Sequence, residues 1–384
     1  MHCGVKCGPL YEKELEKGIS HFIEHMLFKG TSKRNNEQLN DELEQLGGEY
    51  NAYTDYTCTV YGITALEDEL ENSIELLSDM IINSTFPLEE VEKERGVILA
   101  EIRTSRDDIE DYSFKRTNQI AFKESALKYE VIGEEKIIQK FTNTQLEQYY
   151  KKYYIPNNSF LTVVSSFEHE DILKIIKQYF MNWQKGILQK KDVIIENNMP
   201  LVEVSVKKEI EQSTITYLYT FHHLKKEDEL ALKILSHKLG ESANSILFRE
   251  LREERGLAYD IYTHLDLTSY IKTMYIYTAV SEENIDEAIE VINLCIQELK
   301  DETIIIDDKV VNLMKKVLKT AVASTLEDSS DLGNYVLHQC IDGEDIYEFY
   351  QDMKDMENIK GEDIYRVSRL VLNNPTIHIL KSKR

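Results

Sequence analysis

Apolar residues follow two different periods along the chain. Between residues 66 and 82 they recur at helical intervals, which predicts an amphipathic helix that Phe86-Pro87 ends. Residues 49–63 are instead rich in Tyr, Thr and Val and predict one long strand. The same criteria predict, in the first half, helices at 36–47, from 88 to beyond 112, at 145–154 and at 169–183, and a strand at 160–165.

The second half repeats this kind of pattern after a polar segment. Residues 184–200 contain Gly and Pro and lack a helical period, so they are interpreted as a linker between domains 1–183 and 201–384. Strands are predicted at 202–208, 214–221, 259–264, 271–278 and 376–380, and helices at 227–239, 246–254, 284–299, 310–323, 331–340 and 362–371. Strands followed by runs of helices predict an α+β fold of two duplicated domains, each a mostly antiparallel sheet with helices packed on one side.

Composition narrows the classes of function. The 384-residue chain suits two domains, and its formal net charge of −24 argues against binding nucleic acid or an anionic membrane surface. The excess of acidic residues is equally compatible with attraction of basic substrates and with an ordinary solvated surface. No apolar run approaches the roughly 18 residues of a membrane-spanning helix, and no secretory leader is evident, so a cytoplasmic location is expected.

The five cysteines are odd in number and mostly scattered, which fits reduced thiols better than a disulfide framework. Cys3 and Cys7, four residues apart, form only a weak metal-binding signal.

The strongest chemical signal is a His-x-x-Glu-His sequence. His21, Glu24 and His25 share one helical face inside an otherwise apolar segment, where two imidazoles beside a carboxylate need a partner such as a divalent metal. This is the inverted zincin motif, although a chance match is the competing interpretation. A catalytic zinc needs a third protein ligand, and Glu101 is the best candidate, with Glu94 two turns earlier on the same face. Without the His motif, an ordinary charged helix surface would explain both glutamates.

Taken together, these residues closely resemble the pitrilysin-type inverzincin metallopeptidases, the family of pitrilysin, insulin-degrading enzyme and mitochondrial processing peptidase. In that family a Glu ligand follows the second His by about 76 residues, and the same count from His25 reaches Glu101. The resemblance implies one Zn²⁺ per chain, held by His21, His25 and Glu101, with Glu24 activating water. It also implies that Glu94 orients a ligand or the helix.

Two further segments extend the resemblance to substrate binding. Residues 48–54 are similar to the family's Asn-Ala-x-Thr edge strand, which implies that Asn51 and Ala52 pair with the substrate backbone. Residues 247–259 resemble the family's Arg and Tyr segment, which implies that Arg252 and Tyr259 bind the substrate carbonyl and support the oxyanion. Taken alone, the first segment fits an ordinary edge strand and the second a helix with a capped end.

The chain departs from the family pattern in two places. Only 17 residues precede Gly18 and the metal helix, so we expect an N-terminal strand or strand pair of the family to be missing or shortened. In that case the first domain has an exposed sheet edge, or the true start of the protein lies upstream. The family's glycine-rich segment is altered at residues 240–247, which bears on the shape of the cleft.

The expected function is a zinc metalloendopeptidase acting on extended or unfolded peptides, with basic peptides as one candidate class of substrate. The alternatives are a non-catalytic or weakly catalytic subunit of a heterodimeric peptidase and, less favoured, a non-peptidase metallohydrolase. Because the resembling single-length members supply the Arg and Tyr segment from a second subunit, a homodimer or a heterodimer with a paralogous chain is expected.

Overall fold

Two compact units make up the protein. The computed structural model describes residues 1–188 and 192–383. Unit 1 comprises Met1–Thr104, Tyr129–Val193 and Thr325–Ile346, and unit 2 comprises Ser105–Lys128, Ile194–Ser324 and Tyr347–Arg384. The predicted division into 1–183 and 201–384 follows chain order, whereas in the structure two segments exchange: residues 105–128 join unit 2 and residues 325–346 join unit 1.

The regular elements, in chain order, are as follows. The strands are β1 (His2–Val5), β2 (Glu49–Thr54), β3 (Thr59–Thr64), β4 (Ser159–Thr162), β5 (Leu201–Lys208), β6 (Ser213–Thr220), β7 (Ala258–Leu267), β8 (Lys272–Val280) and β9 (Thr376–Lys383). The helices are α1 (Ile19–Met26), α2 (Asn36–Gln45), α3 (Leu70–Asn83), α4 (Leu88–Asp107), α5 (Ile109–Ala121), α6 (Glu135–Ile138), α7 (Asn143–Tyr153), α8 (His169–Phe180), α9 (Glu229–Gly240), α10 (Ile285–Lys300), α11 (Asp308–Glu327), α12 (Ser329–Asp342), α13 (Glu348–Met356) and α14 (Gly361–Val371). A short helical segment, Phe248–Glu253, precedes β7.

The sheet of unit 1 has the order β2-β3-β1-β4, with antiparallel neighbours throughout. Strand β2 therefore lies at one edge. The prediction of a single strand over residues 49–63 is wrong, because the chain turns back between β2 and β3. Asp55 makes that turn: its Oδ1 accepts the backbone N–H groups of Thr57 at 2.6 Å and Cys58 at 2.7 Å.

A second correction concerns the long helix predicted from residue 88 to beyond 112. It is two helices, α4 and α5, separated at Asp108, whose backbone is extended. The Asp108 side chain accepts hydrogen bonds from the backbone N–H groups of Glu110 and Asp111, which makes it the N-cap of α5. The break coincides with the passage of the chain from unit 1 into unit 2.

Unit 2 contains a sheet of order β5-β9-β6-β8-β7 in which only β5 and β9 run parallel. The hydrophobic core of unit 2 includes Ile215 and Tyr217 of β6, Leu235 of α9 and Ile292 of α10, all of which are fully buried. Apolar residues at alternate positions of the strands and along one face of the helices thus form one continuous buried layer. The predicted α+β class, with mostly antiparallel sheets, is confirmed.

One exchanged helix in each unit packs against the sheet. In unit 1, α12 lies on β1 and β4, where a Cβ at Gly4 would come within 3.0 Å of Leu337 and Ile341. In unit 2, α5 lies on β6 and β9, and Ser113 contacts Thr214 through its hydroxyl at 2.5 Å. These helices come from the opposite half of the sequence to the strands they cover. Within residues 1–188 and 192–383, no helix is both long and apolar enough to cross a membrane.

Candidate metal and catalytic site

The helix α1 carries the His-x-x-Glu-His sequence, and its first turn is held in place by a buried carboxylate. Glu12 accepts hydrogen bonds from the backbone N–H groups of Gly18 at 3.0 Å and Ser20 at 2.9 Å, two of the donors that a helix start leaves without partners. Gly18 has φ of 92°, and a Cβ there would lie 2.7 Å from Gly133. A glycine is therefore required at this position. Glu12 was not among the predicted site residues.

The two imidazoles of α1 lie side by side as the helical spacing predicts. The rings of His21 and His25 are 4.7 Å apart, and the neighbouring Phe22 and Met26 are fully buried. Burial, and then the proximity of His25, lowers the pKa of His21 to about 3. His21 is therefore neutral near pH 7, and its buried Nδ1 has no hydrogen-bond partner among the described residues. A neutral imidazole is the form that binds metal.

Helix α4 brings both predicted glutamates to His25. The Nδ1–H of His25 donates to Glu94 Oε2 at 3.0 Å, and the Nε2 of His25 lies 3.6 Å from Glu101 Oε2. The other oxygen of Glu94 is 2.9 Å from the Lys29 ammonium. Burial raises the pKa of Glu94, but the hydrogen bonds to His25 and Lys29 outweigh it, so the net pKa is lowered. Glu94 is thus an ionised carboxylate that fixes the ring of His25.

The donor set fits a zinc ion. One donor atom from each of His21, His25 and Glu101 lies within 4.8 Å of the others. A nitrogen and an oxygen bound to one tetrahedral zinc lie roughly 3.4 Å apart, close to the distance between His25 and Glu101. Two imidazoles and one carboxylate, with Glu94 behind His25, form the arrangement expected of a catalytic zinc site.

Glu24 projects from the same helix and is held by an unpredicted partner. Thr54, the last residue of β2, donates its hydroxyl to Glu24 Oε2 at 2.6 Å, and its Oγ1 is also 3.1 Å from that of Thr59. Burial raises the pKa of Glu24, and the hydrogen bond from Thr54 only partly opposes this. The signal that could have revealed Thr54 is its position two residues after Ala52, because alternate residues of a strand share one face.

Asn51 and Ala52 lie in the middle of β2, where they pair with Gly62 and Tyr61 of β3. Since β2 is an edge strand, its other side has no strand partner among the described residues. An extended peptide could add to this edge as the next strand. The position of both residues thus agrees with the predicted substrate-binding role, which remains a prediction.

In unit 2 the structure brings Arg252 and Tyr259 into contact. The Arg252 guanidinium donates to the Tyr259 carbonyl at 2.7 Å and lies over the rings of Phe248 and Tyr259, at 5.0 and 5.4 Å from their centres. Tyr259 is the extra residue of a β-bulge between β7 and β8, and the residue is 71% exposed. A bulge turns a side chain out of the ladder, which leaves this phenol available to a ligand.

The weak signal at Cys3 and Cys7 is not supported. Both thiols are buried, and burial raises the pKa of each to about 12. Neither belongs to a group of potential metal ligands in the described part of the chain.

Comparison with known families decides the classification. A family model described as "Insulinase (Peptidase family M16)" matches residues 3–135, and one described as "Peptidase M16 inactive domain" matches residues 140–318. The two spans adjoin and cover most of the chain. The chain belongs to peptidase family M16. The first span of this M16 chain contains the His-x-x-Glu-His helix, and the second contains Arg252 and Tyr259.

Several relatives of this M16 chain are named as zinc proteases or as a processing-peptidase subunit. A Rickettsia felis protein named "Uncharacterized zinc protease" is 28% identical over 387 residues, covering 97% of this chain and 89% of the relative. The uncharacterized zinc protease YmxG of Bacillus subtilis is 27% identical and covers 85% of this chain and 78% of the relative. The mitochondrial-processing peptidase subunit beta of Caenorhabditis elegans is 31% identical over 182 residues, 47% of this chain and 40% of that subunit.

Solved structures support the fold of the M16 chain. A protease from Helicobacter pylori superposes with a TM-score of 0.89 at 22% identity, covering 99% of this chain and 93% of the other. A peptidase M16 inactive domain from Pseudomonas fluorescens gives 0.91 at 15% identity, covering 100% and 92%. The predicted family is therefore confirmed, and at family level the protein is grouped with zinc peptidases, with zinc as the metal named for its relatives.

Proposed function

We propose that this protein is a zinc-dependent endopeptidase that hydrolyses extended or unfolded peptides, with one catalytic zinc per chain held by His21, His25 and Glu101. The observation that carries the proposal is the convergence of these three donors beside Glu24. Glu24 is in turn held by Thr54 at the end of an edge strand. A water-activating carboxylate thus lies beside a candidate metal site and next to a strand that can accept a peptide.

The chemistry divides between the metal and the chain. Zinc, when bound, polarises the attacking water and the scissile carbonyl. Glu24 takes a proton from that water and delivers it to the leaving amine, and its raised pKa brings the carboxylate closer to the basicity that this transfer needs. Thr54 fixes the carboxylate by donating to one oxygen, so the other oxygen carries the proton. The products are two shorter peptides.

Substrate binding is proposed to use the edge of β2 and the segment that carries Arg252 and Tyr259. The open edge of β2, around Asn51 and Ala52, pairs with the peptide backbone, so that recognition depends on an extended conformation more than on side chains. Arg252 and Tyr259 donate hydrogen bonds to the substrate carbonyl as negative charge develops on its oxygen.

The direct test is cleavage of an internally quenched peptide by the full-length protein, with and without a chelator. His21→Ala and Glu101→Ala should lose the catalytic zinc and the activity, whereas Glu24→Gln should keep that zinc and lose most activity. A Glu24→Gln protein that cleaves at the wild-type rate would refute the role of Glu24. Full zinc content in a His21→Ala, His25→Ala double variant would refute the metal site.

We further propose that the Arg252 and Tyr259 of one chain serve the zinc site of a partner, in a closed two-fold dimer. Glu24→Gln and Tyr259→Phe chains should each be nearly inactive alone. Statistical exchange between them should restore roughly a quarter of wild-type activity, because half of the dimers are mixed and each has one intact site of two. Heterodimers that form without recovering activity would show that the motifs act within one chain.

Basic substrates are a separate proposal that rests on the net charge of −24. Cleavage of Lys- or Arg-rich peptides should slow with rising ionic strength more steeply than cleavage of neutral ones. Equal salt dependence for both kinds of peptide would remove the electrostatic contribution and leave backbone recognition alone.

A further inference from the structure

A second group of potential metal ligands lies in unit 1 and shares no residue with the site described above. Asp55 and Cys58 come from the turn between β2 and β3, and His338 comes from α12. One donor atom from each of the three lies within 4.8 Å of the other two. These residues are 283 positions apart in the chain at their widest, from Asp55 to His338, so helix docking rather than local sequence brings them together.

Asp55 presents one oxygen to the group because its other oxygen is already used. Its Oδ1 accepts the N–H groups of Thr57 and Cys58, which fixes the plane of the carboxylate. Its Oδ2 lies 3.4 Å from the Sγ of Cys58. A sulfur and an oxygen bound to the same tetrahedral zinc lie roughly 3.5 Å apart, so these two atoms already have the spacing of two zinc ligands.

His338 is oriented in a comparable way. The Tyr53 hydroxyl donates to Asn334 Oδ1 at 2.6 Å and is 2.7 Å from His338 Nε2. Since the hydroxyl proton is used on Asn334, Nε2 must carry a proton and donate it to Tyr53. This tautomer places the ring lone pair on Nδ1. Metal-binding histidines are commonly held in this manner, with the second ring nitrogen donating to an outer partner.

We propose that Asp55, Cys58 and His338 form a second divalent-metal site, suited to zinc and distinct from the site at His21, His25 and Glu101. Thiolate sulfur, imidazole nitrogen and carboxylate oxygen are the ligands that zinc prefers, and water would complete four-coordination. A thiolate and a carboxylate together neutralise the two charges of the ion, so the site needs no further counter-charge.

Binding has a proton balance that follows from burial. Cys58 is fully buried, and burial raises the pKa of its thiol. The metal must therefore displace the thiol proton, which leaves to solvent as the metal–sulfur bond forms and the thiol's hydrogen bond to Asp55 breaks. Affinity consequently rises with pH. Asp55 and His338 are half-buried, which gives the ion a route from solvent.

Occupation of this site would join α12 to the β2–β3 turn. The turn begins directly after Thr54, so the metal would restrain the end of β2 at the residue that holds Glu24. The proposal does not depend on peptidase activity, because it concerns ligands that take no part in the proposed reaction.

The test is titration of the metal-free, full-length protein with Co²⁺, followed by its absorption spectrum. A thiolate bound to Co²⁺ gives a charge-transfer band, whereas the site at His21, His25 and Glu101 contains no sulfur. The wild type should bind two Co²⁺ per chain and show this band. A His21→Ala, His25→Ala double variant should bind one Co²⁺ and keep the band, and added Zn²⁺ should abolish it by competition.

Two variants and one control make the assignment specific. Cys58→Ser and His338→Gln should each bind one Co²⁺ and lose the band, and His338 is half-buried, so its substitution leaves the core intact. Cys340→Ser removes the cysteine of α12, two residues after His338, and should change nothing. A wild type that binds one Co²⁺ without the band would overturn the proposal, as would a band that survives Cys58→Ser or disappears in Cys340→Ser.

Discussion

Replacing Thr54 with valine tests whether the hydrogen bond to Glu24 matters for catalysis. Valine keeps the branched shape and the preference for a strand but removes the hydroxyl. The bond that is lost is short, 2.6 Å, and its acceptor is a carboxylate. No donor atom of the candidate zinc site belongs to Thr54, so the zinc content should not change.

The size of the effect follows from the type of bond. Hydrogen bonds to charged groups contribute roughly 1.5–3 kcal/mol, and each 1.36 kcal/mol is a factor of ten in rate. Complete loss of the bond from Thr54 therefore corresponds to a decrease in rate of about 10- to 150-fold. Thr54 is only half-buried, which allows water to replace part of the lost interaction. We therefore expect kcat to fall by about tenfold, at the lower end of that range. KM should change little, because the hydroxyl points to Glu24 rather than to the substrate.

Thr54→Ser is the matched control, since it keeps the hydroxyl and removes only the methyl group. It should retain activity within about threefold of the wild type. Steady-state cleavage of a quenched peptide, normalised to measured zinc, separates kcat from KM for the three proteins. Wild-type kcat in Thr54→Val at full zinc occupancy would refute the reasoning. An equal loss in both variants would assign the effect to packing of the methyl group instead.

Three further predictions concern zinc affinity, helix capping and pH. Glu94→Gln should weaken zinc binding by roughly 10- to 100-fold in a competition titration, because the carboxylate that orients His25 becomes an amide; unchanged affinity would contradict that role. Asp108→Ala should lower the free energy of unfolding by about 1 kcal/mol in urea titrations through loss of the α5 N-cap, whereas Asp108→Ser should cost less. Burial, and then the charge of Arg116, lowers the pKa of His378 to about 4, so its neutral form stabilises the fold fully above pH 6.5. As the pH falls from 6.5 to 4, the wild type should therefore lose up to about 3 kcal/mol relative to His378→Gln, and parallel pH profiles would exclude this contribution.

The parts of the site that lie within one helix could be predicted from the sequence. His21, Glu24 and His25 are adjacent on α1, and Glu94 and Glu101 are one heptad apart on α4, so helical geometry alone aligns each set. Joining the two sets required the family resemblance, because no periodicity relates residues 25 and 101. Thr54 was missed for the same reason: its bond to Glu24 crosses 30 positions between a strand and a helix.

The errors in the fold have equally specific causes. The β2–β3 turn consists of Asp55, Tyr56, Thr57 and Cys58, which lacks Gly and Pro, and its composition continues that of the flanking strands. Only the Asp55 side chain signals the reversal. The helix at residues 331–340 was predicted, and α12 confirms it. Its contacts with β1 were not predictable, because an apolar helix face does not identify the surface that it will cover.

The exchange of α12 into unit 1 has a consequence for how the protein is made. β1 leaves the ribosome before the helix whose Leu337 and Ile341 pack over Gly4, because those two residues follow Gly4 by more than 330 positions. Until then that face of the sheet is uncovered, so unit 1 cannot be completed before residues 325–346 are synthesised. Such distant contacts slow folding and prolong the exposure of apolar surface. A nascent chain stalled before residue 325 should therefore bind chaperones and resist protease poorly, even though it already contains every proposed ligand of the catalytic zinc.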